Sequence, residues 1–143
     1  IDVMGERARV ELDAVGAHWA VNASLALLTA KLADVGVQEA AEALSGYAPP
    51  PGRGVAETLR LPDGGSFTLI DDAYNANPAS MRAALEGLAS RAGRKLVALG
   101  EMRELGPQSA QMHADLADAV IRAGVAHAVL SGEQMRHLAG ALE

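Results

Sequence analysis

The chain contains no cysteine in its 143 residues. That excludes a disulfide framework and a thiolate-held metal, and it fits a cytoplasmic protein. Aromatic residues are scarce at 3%. Ala, Val and Leu supply the bulk instead, which suits helices packed closely on a sheet. A basic excess is also missing, the formal charge being −6, so a non-specific nucleic-acid binder is excluded. No apolar run approaches 18 residues, so there is no membrane-spanning helix. The start, Ile1-Asp2-Val3-Met4, lacks the layout of a signal peptide, and with no initiator Met it reads as an internal piece of a longer chain. Neither G-x-x-x-x-G-K-[ST] nor G-x-G-x-x-G occurs, so the chain brings no phosphate cradle of its own.

Half of the residues are hydrophobic, enough for a core and too many for disorder. Residues 7–12 alternate polar and apolar and read as a half-exposed strand. Gly16 breaks that pattern. Val21, Leu25, Leu28, Leu32 and Val35 then recur at helical spacing and predict an inward stripe, with Gly36 ending the helix. His18 and Asn22, four apart, share one face beside that stripe. A second helix follows from Gln38 to Leu44. Three consecutive prolines, Pro49 to Pro51, can continue neither a helix nor a central strand. They place a stiff linker at residues 49–54, between residues 1–48 and a second domain at residues 55–143.

That second domain opens with an antiparallel hairpin, Val55–Leu61 and Ser66–Asp72, around Pro62-Asp63-Gly64-Gly65. A helix from Pro78 to Ala92 follows, with Met81, Leu85 and Leu88 on one stripe. Next come a buried parallel-type strand at 94–100, a helix from Pro107, a strand at 126–130 and a last helix at 132–142. Strands alternating with helices predict an α/β fold, a Rossmann-like and mostly parallel sheet flanked by helices.

The densest chemistry lies at Asp71-Asp72-Ala73-Tyr74-Asn75-Ala76-Asn77-Pro78-Ala79-Ser80-Met81. It follows Phe67–Ile70, which reads as a short buried strand. Asn77 is a good N-cap and Pro78 suits the first helical position. Two carboxylates, a tyrosine and two amides therefore crowd a strand-to-helix turn, the place where open α/β sheets bind ligands. The acid pair suits a ribose, a cation or a basic partner, or serves only to cap the turn.

This stretch resembles the signature that opens the C-terminal domain of the Mur ligases, nearest to the MurF type. That type joins D-alanyl-D-alanine to the UDP-N-acetylmuramoyl-tripeptide precursor of peptidoglycan. Three further segments fit in order: Gly16-Ala17-His18 with Asn22-Ala23, Pro51-Gly52-Arg53, and Leu99-Gly100-Glu101-Met102-Arg103-Glu104-Leu105-Gly106. Together they span residues 10–113. The family usually has Ser at the place of Ala73 and Asp at the place of Glu101.

The resemblance implies a cytoplasmic, ATP-dependent ligase whose substrates are ATP, D-alanyl-D-alanine and UDP-N-acetylmuramoyl-tripeptide, the whole protein being a monomer. It makes residues 1–48 the end of the central ATP-binding domain and residues 55–143 a truncated C-terminal domain. The P-loop, the Mg2+ ligands and a modified lysine would lie upstream of residue 1, leaving this piece inactive alone. Further strands would follow Glu143, so the piece is expected to expose a sheet edge and to be unstable or self-associating. Within it, Asn22 and His18 would lie at the adenine, Tyr74 or Asn75 would meet the base from the other side, and Asp72 would accept from the ribose hydroxyls. Arg53 is the candidate catalytic cation, reaching the ATP phosphates. Glu101 and Glu104 either face the incoming dipeptide or stand solvated, and His113 fits no metal-ligand spacing. Two other readings are a stand-alone, non-catalytic Rossmann-like module that binds a nucleotide or a protein, and a ligase like the folylpolyglutamate synthases.

Overall fold

Met4 and Gly5 both adopt positive φ, 51° and 86°, as the two central residues of a type I′ hairpin must. They join β1 (Asp2–Val3) to β2 (Glu6–Arg7) in an antiparallel pair in the computed structural model, which describes residues 1–13 and 18–143. The strand expected at residues 7–12 is thus largely replaced. The chain leaves the ladder after Arg7, and its later backbone groups bond elsewhere, Gly46 N–H donating to Glu11 O at 2.8 Å and Asp13 N–H to Tyr47 O at 3.1 Å. The expected break at Gly16 lies outside the described residues.

Helix α1 (His18–Leu32) ends in a Schellman motif. Val35 N–H donates to Ala30 O at 2.9 Å and Asp34 N–H to Lys31 O at 3.2 Å, with Asp34 at φ 62°. Asp34, not Gly36, therefore stops the helix; its short polar side chain tolerates the left-handed region. Gly36, at φ −60°, instead precedes α2 (Val37–Leu44). The expected inward stripe is also overturned. Ala23 and Leu27 are buried, whereas Val21, Leu25 and Leu32 are 60%, 58% and 70% exposed. The helix is apolar on most sides, so periodicity could not choose its face. Leu27 joins Val3, Ala8, Val37 and Ala41 in a small core, and Lys31 pairs with Glu6 across it. Complete burial of Leu27 is worth about 1.5–3 kcal/mol.

Strands β3 (Val55–Arg60) and β4 (Ser66–Asp71) form the expected antiparallel hairpin, with Val55 opposite Asp71 and Arg60 opposite Ser66. Its turn closes through Leu61 N–H to Gly65 O at 2.7 Å and Gly65 N–H to Asp63 Oδ1 at 3.0 Å. Phe67 and Leu69 remain exposed, so this strand is not the buried one its composition suggests. The hairpin pairs only with itself among the described residues, and a two-stranded ribbon cannot bury both faces. With it ends the first of two compact units, Ile1–Asp72; the second is Ala73–Glu143.

The second unit carries the parallel part of the fold. Helix α3 (Pro78–Ala89) starts as expected: Asn77 Oδ1 accepts from Ala79 and Ser80 N–H, and Ser80 Oγ accepts from Asn77 N–H. Strand β5 (Lys95–Gly100) pairs in parallel with β6 (Val125–Ser131). Between them a 3-10 turn (Gly106–Gln108) leads into α4 (Ser109–Ala114) and α5 (Ala117–Arg122), and α6 (Met135–Leu142) closes the unit. Leu85, Leu116, Val120, Ala123, Met135 and Leu138 form its core, with Val97 and Leu99 packed against it. The opposite strand positions, Leu96 and Val129, are 60% and 67% exposed, so only one sheet face is covered. This is the helix-flanked parallel arrangement read from the sequence, limited here to two parallel strands. Among the described residues no helix is long and apolar enough to cross a membrane.

Candidate functional site

The candidate residues fall in both units. In the first, His18 opens α1 and Asn22 lies one turn on, both exposed. Trp19 makes tilted ring contacts on two sides, its ring 5.5 Å from that of His18 and 6.0 Å from that of Tyr47. The Trp19 indole N–H is buried and has no partner among the described residues. The single Trp beside the candidate His was the available signal for this cluster, and the motif reading passed over it.

The hairpin fixes the other two. Gly54 N–H donates to Asp71 O at 2.8 Å, which extends the β3–β4 ladder to its open end. Arg53 and Asp72 lie just beyond that end, one before β3 and one after β4, both exposed. Gly52 and Gly54, each at φ 79°, let the backbone reverse around Arg53, a geometry an L side chain would resist. A guanidinium and a carboxylate thus flank one hairpin end, a donor suited to phosphate oxygens and an acceptor suited to ribose hydroxyls.

In the second unit, Tyr74 and Asn75 precede α3. Tyr74 is 68% exposed, and Asn75 Oδ1 accepts from Ala76 N–H at 2.8 Å, so that amide oxygen is already engaged locally. The better-formed depressions lie elsewhere, lined by Ile1, Arg7 and Gln38 or by Arg9, Glu11 and Ser45, and neither contains a candidate residue. Among the described residues no three His, Asp or Glu side chains are placed to hold a metal.

In the loop after β5, Glu101 is half-buried. Its Oε2 accepts from Gln134 N–H at 3.2 Å, and its side chain lies over Gly132, where an added Cβ would come within 2.7 Å. His113, fully buried, bonds to the same loop. A Gly just past a strand, followed by a helix start, is the only sequence hint of where that carboxylate goes. Glu104 sits at φ 61° and points outward with Arg103.

Residues 57–143 match the family described as Mur ligase, glutamate ligase domain. The chain belongs to the Mur ligases. It is 37% identical over 132 residues to the UDP-N-acetylmuramoyl-tripeptide--D-alanyl-D-alanine ligase of Mycobacterium tuberculosis, covering 88% of this chain and 25% of the relative. The Bacillus subtilis protein of the same name is 35% identical over 101 residues, 69% of this chain and 21% of its own length. Among solved structures, MurF from Acinetobacter baumannii superposes with a TM-score of 0.75 at 30% identity, over 88% of this chain and 27% of that one. MurF from Thermotoga maritima, solved in complex with ADP, shares the fold with a TM-score of 0.68 at 21% identity, over 87% of this chain and 31% of that one. The Mur ligase chain described here thus spans about a quarter of the length of the curated relatives it matches.

Proposed function

We propose that this Mur ligase chain is part of a cytoplasmic, monomeric, ATP-dependent enzyme of peptidoglycan synthesis, which adds D-alanyl-D-alanine to UDP-N-acetylmuramoyl-tripeptide. The observation that carries this reading is the 37% identity to ligases of that name across 88% of the chain. Residues 1–48 belong to the end of the central domain, residues 49–54 to the hinge and residues 55–143 to the C-terminal domain. The family match beginning at residue 57 supports that border.

In the proposed reaction the γ-phosphoryl group of ATP passes to the terminal carboxylate of the tripeptide, forming an acyl phosphate and releasing ADP. The dipeptide amine then attacks the acyl carbon, the bond to the phosphate oxygen breaks, and the amine loses a proton as the amide forms. Arg53 holds the phosphates, Asp72 accepts from the ribose hydroxyls, Asn22 lies against the adenine with His18 near it, and Tyr74 or Asn75 meets the base from the other side. The position of Arg53 and Asp72 just beyond the ladder, next to the Gly54 N–H to Asp71 O bond, supports the first two roles. Mg2+ would be held by residues outside this chain, and no step assigned to its side chains passes through the ion.

The test is ATP–magnesium titration and D-alanyl-D-alanine-dependent phosphate release, on the natural protein that contains this chain and on residues 1–143 alone. Activity in the natural protein, with ATP binding weakened at least tenfold by Arg53→Ala and Asp72→Ala, is expected; loss of one charge-assisted contact is worth about 1.5–3 kcal/mol. Indifference to both substitutions overturns the site. Tight nucleotide binding by residues 1–143 alone favours the non-catalytic module.

A further inference from the structure

Among the buried groups, His113 has no role in the scheme above, yet it is the one buried polar or charged side chain in the described core. Both of its ring nitrogens are engaged. Met102 N–H donates to Nε2 at 3.0 Å, so Nε2 carries no proton. The proton is then on Nδ1, which donates to the Ser109 carbonyl at 2.7 Å; the Ser109 hydroxyl lies 3.4 Å from the same nitrogen. The hydrogen-bond pattern thus assigns a neutral imidazole in the Nδ1-protonated tautomer.

The groups it joins belong to different elements. Ser109 opens α4, whereas Met102 is the second residue beyond β5 and only 2% exposed. The residue before it is fixed as well, Glu101 N–H donating to Ser131 O at 3.0 Å while its carboxylate accepts from Gln134 N–H. Two successive residues are therefore held to α4, to the end of β6 and to the turn before α6. The next two, Arg103 and Glu104, are exposed and make no ion pair among the described residues. A rigid root thus carries an adjacent cation and anion at the C-terminal end of a parallel strand, the end where such sheets bind ligands.

We propose that His113 is a positioning residue: it ties the backbone of Met102 to α4 and so holds Arg103 and Glu104 where they receive the dipeptide substrate. This rests on the ligase reading given above. The loop's charges favour the dipeptide over ATP. A free dipeptide arrives as a zwitterion, whose carboxylate suits the guanidinium fork of Arg103 and whose ammonium suits Glu104. A polyphosphate would meet repulsion from Glu104 with Glu101 close behind. Replacing His113 by an apolar residue leaves the Met102 N–H buried without an acceptor, which frees the root of the loop.

The test uses the natural protein with His113→Leu, His113→Gln and Arg103→Ala, varying ATP and D-alanyl-D-alanine separately. His113→Leu raises the dipeptide KM about tenfold or more, because displacement of a positioning group by about 1 Å is enough for such losses, and leaves the ATP KM within about twofold. His113→Gln, whose amide oxygen can accept from Met102 N–H, recovers most of the loss. Arg103→Ala, a surface change with no bearing on folding, raises the dipeptide KM alone. Nitrogen NMR of the wild type shows the Nδ1-protonated tautomer, and Met102 N–H exchange is slow there and fast in His113→Leu. Parallel changes in both KM values, no change in either, or an Nε2-protonated ring overturn the proposal. If the wild type shows no dipeptide-dependent turnover, the ligase reading and the substrate assignment fall together. Unchanged Met102 exchange in His113→Leu overturns the latch whatever the kinetics.

Discussion

The two compact units use similar composition to different effect. In Ala73–Glu143, residues of four helices, α3 to α6, share one core against which Val97 and Leu99 of the parallel pair pack. In Ile1–Asp72, a 15-residue helix buries only Ala23 and Leu27 and leaves Val21, Leu25 and Leu32 in water. Its hairpin likewise leaves Phe67 and Leu69 exposed. The lesson is that apolar content sets how much a segment can bury, while the number of elements packed against it sets how much it does bury.

The sharpest way to break this contrast is a pair of identical substitutions. Leu116→Ala, at a fully buried site in the second unit, is expected to cost about 2–5 kcal/mol. Leu25→Ala, on the exposed face of α1, is expected to fall within about 0.5 kcal/mol. Denaturant unfolding of both variants checks this, and comparable losses would mean that α1 is covered. Gly132→Ala comes next. At φ 109°, with the Glu101 side chain 2.7 Å from the new Cβ, it should lose about 1–3 kcal/mol and shift the Gln134 amide signal as the carboxylate is displaced. A silent Gly132→Ala would show that the two strand-end segments are not tied together. The smallest effect belongs to the first unit. Asp34→Gly relieves a left-handed L residue and should raise the melting temperature, corresponding to about 1 kcal/mol. Gly36→Ala, at ordinary φ with only Glu39 Cβ 3.9 Å away, should leave it nearly unchanged. Were the two to exchange effects, the Schellman assignment would be wrong.

Local rules made part of this fold legible. Asn77-Pro78 announces the start of α3 because a cap needs only its own next three residues. Pro62-Asp63-Gly64-Gly65 announces the hairpin for the same reason. Met4-Gly5 belongs to the same class, but a two-residue strand on each side is too short for alternation to register. What failed depended on distant partners. The buried face of α1 is chosen by Val3, Val37 and Ala41, and no periodicity within the helix encodes that choice. Glu101 finds Gln134 thirty-three residues on, and His113 finds Met102 eleven residues back. The candidate nucleotide residues follow from a motif, and the hairpin register adds only that Arg53 and Asp72 lie just beyond the same end of the ladder.

The exposed apolar faces of α1, the hairpin and the β5–β6 pair have a thermal consequence. The heat capacity of unfolding grows with the apolar surface newly wetted, at about 12–15 cal/mol/K per residue for ordinary domains. Here much of that surface, Leu25, Leu32, Phe67, Leu96 and Val129 among it, is wet before unfolding begins. The stability of this chain should therefore curve less with temperature than that of a fully packed domain of its size, and the driving force for its folding should fade less on cooling.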